Sequence, residues 1–542
     1  MKHLLATSII ACLLPLGSAL AADAEPRDNL LFIMTDEMKS DVMGVAGHPM
    51  VKTPNLDKLA AQGTYYKTAY TVAPICSPSR RSFFTSRYPH VHGVIDNNKQ
   101  ALANDGEVDL PTLLKHEGYS TAISGKLHFY PEWQDWNFDH FWARSSEGPN
   151  HEETYRQYMF AKYGNDAFKP VKGSVLYPKD PLGHDLGKYQ FAKEDFETYW
   201  LTDKALTYLT QQQKAQTTKP FFLFLSYNEP HSPYRATEPY ASMYDPKAIS
   251  VPVIPEHAKT ERKQALADKI KGKSRHLIDD EQMMRDLTAQ YLGHITNVDD
   301  NVGRILDYLD NSGLADSTIV VFSADHGNML GQHGKWFKGV MHEGSSRIPL
   351  IIRAGKNTQY AKVMNRGKVV EQIVESIDVM PTLLDMLNID KPIGMQGQSL
   401  LPLTADKAVN WKNHAFSQRS DYMFRLDNFK LILPAKKGKR GEIELYDLVS
   451  DPHEHNNLAN EPAHQQRLAQ MKNSISEWQA NKPAPISVAG LTPPAHLFNS
   501  SELRRDHKKS SKAMLAHHSK TFQAVKVDPQ SKTGDKNDNK NP

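Results

Sequence analysis

From Asn29 onward the chain sets short, wholly apolar runs between longer stretches whose apolar residues recur at helical spacing. Leu30-Leu31-Phe32-Ile33-Met34 has no polar position, which predicts a strand covered on both faces. Phe221 to Leu225, Thr318 to Phe322 and Pro349 to Ile352 repeat that pattern. Ser120 to Ser124 predicts another strand behind a helical stretch from Leu110 to Glu117. Pro54 to Gly63 predicts a short helix, with Pro near its start and Gly at its end. In the stretch from Glu281 to Leu309, Leu287, Tyr291, Ile295, Val298, Val302, Ile305 and Leu309 form one apolar stripe, which predicts a long helix. Buried strands alternating with helices predict an α/β sandwich around a mostly parallel sheet.

After about Leu403 the pattern changes. Alternating runs at His414–Gln418, Tyr422–Leu426, Lys430–Leu433 and Ile443–Tyr446 predict an antiparallel sheet, followed by a helix near His464–Ala480. Beyond Asn499 the chain is rich in Lys, Ser, Asn and Asp, which reads as a flexible tail. The expected organisation is a leader at 1–21, a main domain at 22–410, a smaller α+β subdomain at 411–500 and a basic tail at 501–542.

Composition alters this picture in two places. The net charge is only +3, and the tail holds ten Lys/Arg against five Asp/Glu, which leaves the remainder near neutral. No strong attraction to nucleic acid is implied. At the other end, Lys2 and His3 precede an apolar run from Leu4 to Leu16, and Ala19-Leu20-Ala21 supplies a small-x-small site. That is the pattern of a secretory signal, too short to span a bilayer, and no later stretch reads as a span. Ile9-Ile10-Ala11-Cys12 also resembles a lipoprotein box, an alternative that likewise takes the protein out of the cytoplasm. The expected location is the periplasm or beyond. Of the two cysteines, Cys12 then goes with the leader, and Cys76 stays as a lone thiol in an oxidising compartment.

The neighbours of that thiol carry the chemistry. Cys76-Ser77-Pro78-Ser79-Arg80 is followed by Thr85-Ser86-Arg87, Tyr88-Pro89 and His92-Gly93. The segment resembles the C-x-P-S-R signature of type I sulfatases, and Ser86 stands where that family usually has Gly. The resemblance implies an alkaline-phosphatase-like fold and oxidation of Cys76 to formylglycine by a formylglycine-generating or anaerobic sulfatase-maturating enzyme. A hydrated aldehyde offers one hydroxyl to attack sulfur and a second whose deprotonation expels sulfate. Arg80 lies one helical turn on and would face the modified side chain.

Further segments follow the same family in order. Gly118-Tyr119-Ser120-Thr121 through Gly125-Lys126-Leu127-His128 resembles its second signature. It implies Lys126 on the sulfate and His128 as the base that triggers release, the two sharing one side of a strand end. Asp36-Glu37 and Asp325-His326 each follow a buried strand and resemble the family's acidic pairs, which with the modified Cys76 hold one Ca²⁺. Glu37 departs from the usual residue, and its role as ligand or as outer support stays open. Lys219 to Tyr234 resembles the strand ending in P-H-x-P, which implies His231 near the leaving oxygen. In Gly331 to Ile352, Lys338 matches the sulfate-binding lysine, with Lys335 as its rival. His92, Asn97, Arg235 and His333 are candidates for substrate subsites. The resemblance spans about Asn29 to Asn460 and leaves the tail out.

An exported sulfuric ester hydrolase acting on a sulfated carbohydrate is therefore expected. The alternatives are a choline-sulfatase-type enzyme and a phosphonate or phosphodiester hydrolase of the same superfamily. A non-catalytic glycan-binding relative conflicts with the intact Cys76, Arg80, Lys126, His128, His231 and Lys338. A metal-independent Cys hydrolase leaves the acidic pairs unexplained.

Overall fold

The structure is a computed structural model. It describes residues 27–491 apart from 98–106, 131–134, 145–152, 169–185, 216–218, 257, 261–279, 359, 362–363, 365–366, 405–408, 436–441 and 489–490. The expected leader at 1–21, with Cys12, and the tail at 501–542 lie outside the described residues.

Nine strands form the main sheet among the described residues: β1 (Asn29–Asp36), β2 (Thr64–Tyr70), β3 (Ser120–Gly125), β4 (His140–Trp142), β5 (Phe221–Pro230), β6 (Thr318–Ala324), β7 (Arg347–Ile348), β8 (Leu350–Arg353) and β9 (Lys368–Glu375). Their order is β4-β3-β5-β1-β6-β8-β2-β7, with β9 also pairing with β2. The strands from β4 through β6 run parallel, whereas β8 is antiparallel to both β6 and β2. The sheet is thus mostly parallel, as expected, with the apolar run at Pro349–Ile352 inserted the other way. The sequence pattern did not single out β2 or β9. β2 (TYYKTAY) is aromatic and polar rather than aliphatic, and β9 alternates polar with apolar residues, exposing Val369, Glu371 and Gln372.

Both faces of the central strands are covered, which explains their unbroken apolar runs. Phe32 pairs in register with Phe224, and their rings meet Phe83 and Phe84 of the helix Cys76–Thr85. Ser124 and Leu225, one position on, turn to the other face. There the Ser124 hydroxyl donates to Leu201 O of the helix Glu197–Ala215. The predicted long helix runs Glu281–Ser312, with Asp280 capping its start and Gly313 (φ +78°) ending it.

In parallel strands all carboxyl ends share one edge. Asp36 ends β1, and Lys126, His231 and Asp325 directly follow β3, β5 and β6 there. The register between β1 and β5 shifts between Thr35 and Asp36, a local irregularity at the tip that carries the acidic pair.

A second sheet, β10 (His414–Gln418), β11 (Asp421–Leu426), β12 (Phe429–Pro434) and β13 (Glu444–Asp447), is antiparallel in chain order. The helix Gln465–Ala480 packs on it through Leu468, Met471, Ile475 and Trp478, whose ring stacks on Phe416 at 4.9 Å. The pattern of alternating runs had predicted these strands and this helix.

The small sheet is tied to the large one by a buried ion cluster. Lys430 of β12 has no exposed side-chain surface and lies 2.9 Å from both Glu343 and Glu454. Burial pushes the Glu343 carboxyl up, but Lys430 and Arg347 outweigh it and hold its pKa at about 2. Tyr70 of β2 donates to the same carboxylate at 2.8 Å. Lys430→Met would leave two buried carboxylates without their cation, at a cost of about 3–5 kcal/mol. The denaturation midpoint of this variant is expected to fall clearly, and Glu343→Gln in the same chain is expected to recover part of the loss.

Candidate active site

The helix Cys76–Thr85 begins with the thiol and is buried at every position. Its entry is fixed by polar contacts that the spacing of Ser77 and Ser79 sets up. Ser79 Oγ donates to Asp325 O at 2.5 Å, and Ser77 Oγ donates to His128 O at 2.5 Å. The helix ends at Ser86 in a left-handed conformation (φ +53°), the geometry that favours the family's usual Gly. Here the serine hydroxyl adds a bond of its own, donating to Ile377 O at 2.7 Å.

Cys76 Sγ lies 3.6 Å from Asp36 Oδ1 and 3.2 Å from His326 Nε2. Together with Asp325 these residues place four potential ligand atoms within 4.8 Å of one another, all buried. Arg80 braces the set. Its Nε donates to Asp325 Oδ2 at 2.7 Å, Nη1 to Lys126 O at 2.6 Å and to Ser226 Oγ at 2.8 Å, and Nη2 to Asp36 Oδ2 at 3.3 Å. Lys126 Nζ donates to Asp36 Oδ2 at 2.6 Å. Burial pushes the Asp36 carboxyl up, but Lys126, His231, Lys338 and Arg80 hold it well below the usual carboxylate range. Burial and Asp36 likewise push the Cys76 thiol up. Lys126, Lys338 and His326 outweigh them and hold it well below the ordinary thiol value.

Glu37 sits beside this cluster with both oxygens engaged. Oε1 accepts from Asn328 Nδ2 at 2.9 Å, and Oε2 accepts from Lys338 Nζ at 2.9 Å and faces His231 Nε2 at 3.4 Å. Burial raises its carboxyl to about 7 against the pull of Lys338. His231 is pinned through Nδ1 to Ser232 O at 2.7 Å. Burial, with Lys338 beside it, lowers its pKa to about 3.

Cys76, Arg80, Lys126, His231, Lys338, Asp36, Glu37, Asp325 and His326 are thus brought together from six separate segments. Lys338, and not its rival Lys335, carries the ammonium bonded to Glu37. The other candidates fall differently. His128 does not continue the alternation of β3: the strand ends at Gly125, and His128 has φ +62°, so its side chain does not share a strand face with Lys126. Its carbonyl meets Ser77, and its ring nitrogen meets Tyr130 OH at 3.1 Å.

Two proposed subsite histidines are buried in structural roles. His92 is fully buried, with Nε2 2.9 Å from Ser82 Oγ and Nδ1 accepting from Val94 N at 3.1 Å. His333 is buried with Nε2 3.0 Å from His453 O, its ring 4.3 Å from that of His342. His92 thus braces the helix that begins with Cys76, and His333 braces the loop that leads to Lys338. Arg235 is half-buried, and its backbone N donates to His294 Nε2 at 3.1 Å. Asn97 does reach the site, accepting from Ser77 N at 2.8 Å.

Asn328 and Ser226 were not foreseen. Asn328 orients Glu37 and also donates to Tyr234 OH at 3.2 Å. The available signal was position: Ser226 directly follows the apolar run Phe221–Leu225 within β5, and Asn328 lies just beyond the end of β6.

A reactive side chain at a buried helix start, lysines and an arginine able to hold an anion, and an acidic cluster suited to a divalent cation define a hydrolase of anionic esters. Residues 28–389 match the family model described as Sulfatase, and residues 331–481 match that of the N-sulphoglucosamine sulphohydrolase C-terminal region. The chain belongs to the sulfatase family and is a sulfuric ester hydrolase. It is 30% identical over 464 residues to an arylsulfatase of Clostridium perfringens, covering 82% of this chain and 92% of that one. It is 26% identical over 547 residues to an N-acetylglucosamine-6-O-sulfatase of Bacteroides thetaiotaomicron, covering 86% and 90%. The fold resembles that of the phosphonate monoester hydrolase of Agrobacterium radiobacter, with a TM-score of 0.70 at 23% identity over 84% of this chain and 96% of that one. That places it in the alkaline-phosphatase-like fold.

The acidic set fits a hard divalent cation. Asp36, Glu37 and Asp325 are all fully buried within one small volume, and carboxylate oxygens are the donors such an ion takes. Asp36, Asp325 and His326 would hold it together with the side chain at position 76. Glu37, whose two oxygens are committed to Asn328, Lys338 and His231, would act chiefly as support. Titration of metal-stripped protein with calcium is expected to raise the denaturation midpoint, and Asp325→Ala is expected to abolish that rise. Glu37→Gln is expected to retain most of it. A larger loss for Glu37→Gln than for Asp325→Ala would reverse the two assignments.

Proposed function

We propose that the protein is an exported sulfatase that removes sulfate from a carbohydrate, using formylglycine made from Cys76 and one bound Ca²⁺. The observation carrying this reading is the placement of Cys76 Sγ in the first turn of a buried helix, 3.2 Å from His326 and 3.6 Å from Asp36, beside Lys126, Lys338 and Arg80. A thiol there has two difficulties as a nucleophile toward sulfate. Its thiosulfate ester has no simple route to product, and in an exported protein the thiol is open to oxidation. Oxidation of the Cys76 side chain to an aldehyde by a maturating enzyme removes both.

The aldehyde's hydrate carries two hydroxyls. One attacks sulfur and passes its proton to a neighbouring carboxylate while the S–O bond to the sugar breaks. The departing oxygen takes a proton from His231, whose Nδ1 is fixed to Ser232 O and whose Nε2 carries that proton in the complex with the anionic substrate. The second hydroxyl then gives its proton to His128, the carbonyl re-forms, and the C–O bond to sulfate breaks. Lys126 and Lys338 hold the sulfate oxygens through both steps. Calcium, when bound, supplies further neutralisation of the sulfate charge.

The carbohydrate assignment is supported by the relative named as an N-acetylglucosamine-6-O-sulfatase. Export is supported by the leader pattern at 1–21 and the lone Cys76. No helix among the described residues is long and apolar enough to cross a membrane.

Two measurements test the proposal. The Cys76 peptide from active protein is expected to be lighter than its thiol form, and Cys76→Ala is expected to abolish turnover with the fold retained. Full activity from a wholly unmodified thiol would sink the mechanism. Parallel assays on an aryl sulfate and an aryl phosphodiester decide between this reading and a phosphonate-type hydrolase.

The two histidines are expected to separate by step, each loss amounting to ~10²–10⁴ in rate. His231→Ala should hurt most on substrates with poor leaving groups. His128→Ala should accumulate a sulfated enzyme whatever the leaving group, seen as an added sulfate on the side chain at position 76 by intact mass. An adduct in the His231 variant and none in the His128 variant would exchange their roles.

A further inference from the structure

The small antiparallel sheet approaches the site at the end of β10. Gln418 closes β10 and donates its backbone N to Val72 O at 2.9 Å, in the segment that leads into Cys76. The hairpin turn that follows puts Arg419 between two loops flanking the site. Its Nη1 lies 3.4 Å from Gly339 O, directly after Lys338, and its Nη2 lies 3.6 Å from Asp96 Oδ1, directly before Asn97. Gly339 makes this approach possible. It has φ +89°, and a Cβ there would fall 1.6 Å from Arg419 Nη1.

The electrostatics of Arg419 differ from those of the cations below it. Arg80, Lys126 and Lys338 are each bonded to buried carboxylates at 2.6–2.9 Å. Among the described residues the Arg419 guanidinium is met at 3.4 Å by Gly339 O and at 3.6 Å by Asp96 Oδ1, and its side chain and that of Asp96 are 30% and 49% exposed. An exposed pair of that kind contributes little to stability. A planar fork of N–H donors so weakly held can turn to an incoming anion at little cost, and guanidinium binds carboxylate and sulfate oxygens in bidentate fashion.

We propose that Arg419 is a specificity-determining residue that recognises a second anionic group, sulfate or carboxylate, on the substrate whose scissile sulfate lies at Lys126 and Lys338. The small sheet thereby contributes to substrate choice, and an ester with one charge leaves Arg419 with nothing to bind. This inference rests on the sulfated-carbohydrate reading.

The test uses the matured, calcium-loaded enzyme turning over 4-nitrophenyl sulfate. Competition is measured with N-acetylglucosamine 6-sulfate (one anion), glucosamine 2-N,6-O-disulfate (two sulfates) and a sulfated uronic acid (sulfate and carboxylate). The wild type is expected to bind at least one dianionic sugar about tenfold or more tighter than the monoanion, and the stronger of the two identifies the second group. Arg419→Gln is expected to bring that ratio close to one. Asp96→Asn removes the competing carboxylate and is expected to raise the ratio. A wild type that does not prefer either dianion, an Arg419→Gln ratio equal to that of the wild type, or a lower ratio in Asp96→Asn would each overturn the assignment. Failure of the functional reading has a different signature: turnover of 4-nitrophenyl sulfate is absent, or none of the three sugars inhibits it.

Discussion

Burying three carboxylates within one small volume is the constraint on which the rest of the site depends. Asp36, Glu37 and Asp325 have no exposed surface, and isolated charges so placed would cost many kcal/mol. Each is met by a cation from a different part of the chain: Arg80 from the helix after β2, Lys126 from the end of β3, Lys338 from the loop after β6. Removing one cation strands a buried anion, so the arrangement holds only when all the segments are in place. The same mutual holding leaves an acidic set beside the side chain at position 76 that a divalent cation can complete.

The sheet supplies the geometry for this. Parallel strands β3, β5, β1 and β6 end on one edge, and the residues just past their tips converge without any long loop to order. Two helical layers keep the edge rigid. Phe83 and Phe84 of the nucleophile helix lock against Phe32 and Phe224, so the start of that helix is aimed by aromatic packing deep in the core. The position of the Cys76 side chain is therefore a packing result as much as a local one.

The small sheet has two roles at different depths. Lys430 anchors it through a buried ion cluster, and Arg419, on the hairpin turn beside the site, is held by weak exposed contacts. Chemistry common to sulfatases sits on the large sheet, and the residue assigned to substrate choice comes from the small one. A rigid attachment with a loosely held guanidinium at its edge suits that division, because the anchor keeps the turn in place while the fork stays free to move.

Much of this was legible in the chain itself. Unbroken apolar runs at 30–34, 221–225 and 318–322 dictated central strands, because only a strand covered on both faces needs no polar position. The C-x-P-S-R and G-K-x-H segments, through their resemblance to the sulfatase signatures, pointed to Cys76, Arg80 and Lys126, which the fold brings together. What the sequence left undetermined depended on partners distant along the chain. β2 and β9 were missed because their polar content makes sense only beside each other. His92 and His333 looked like site residues, yet both rings are buried against Ser82 and His453. His128 broke the strand alternation by adopting a positive φ just beyond β3. Glu37 could be a ligand or a support in sequence, and the partners its two oxygens face, Asn328 and Lys338, lie some 300 residues away. The sequence determined which groups the site would contain, because residue identity and spacing set local chemistry. Tertiary structure alone decided which charge each group would face, because burial and pairing arise only when distant strand ends meet at one edge.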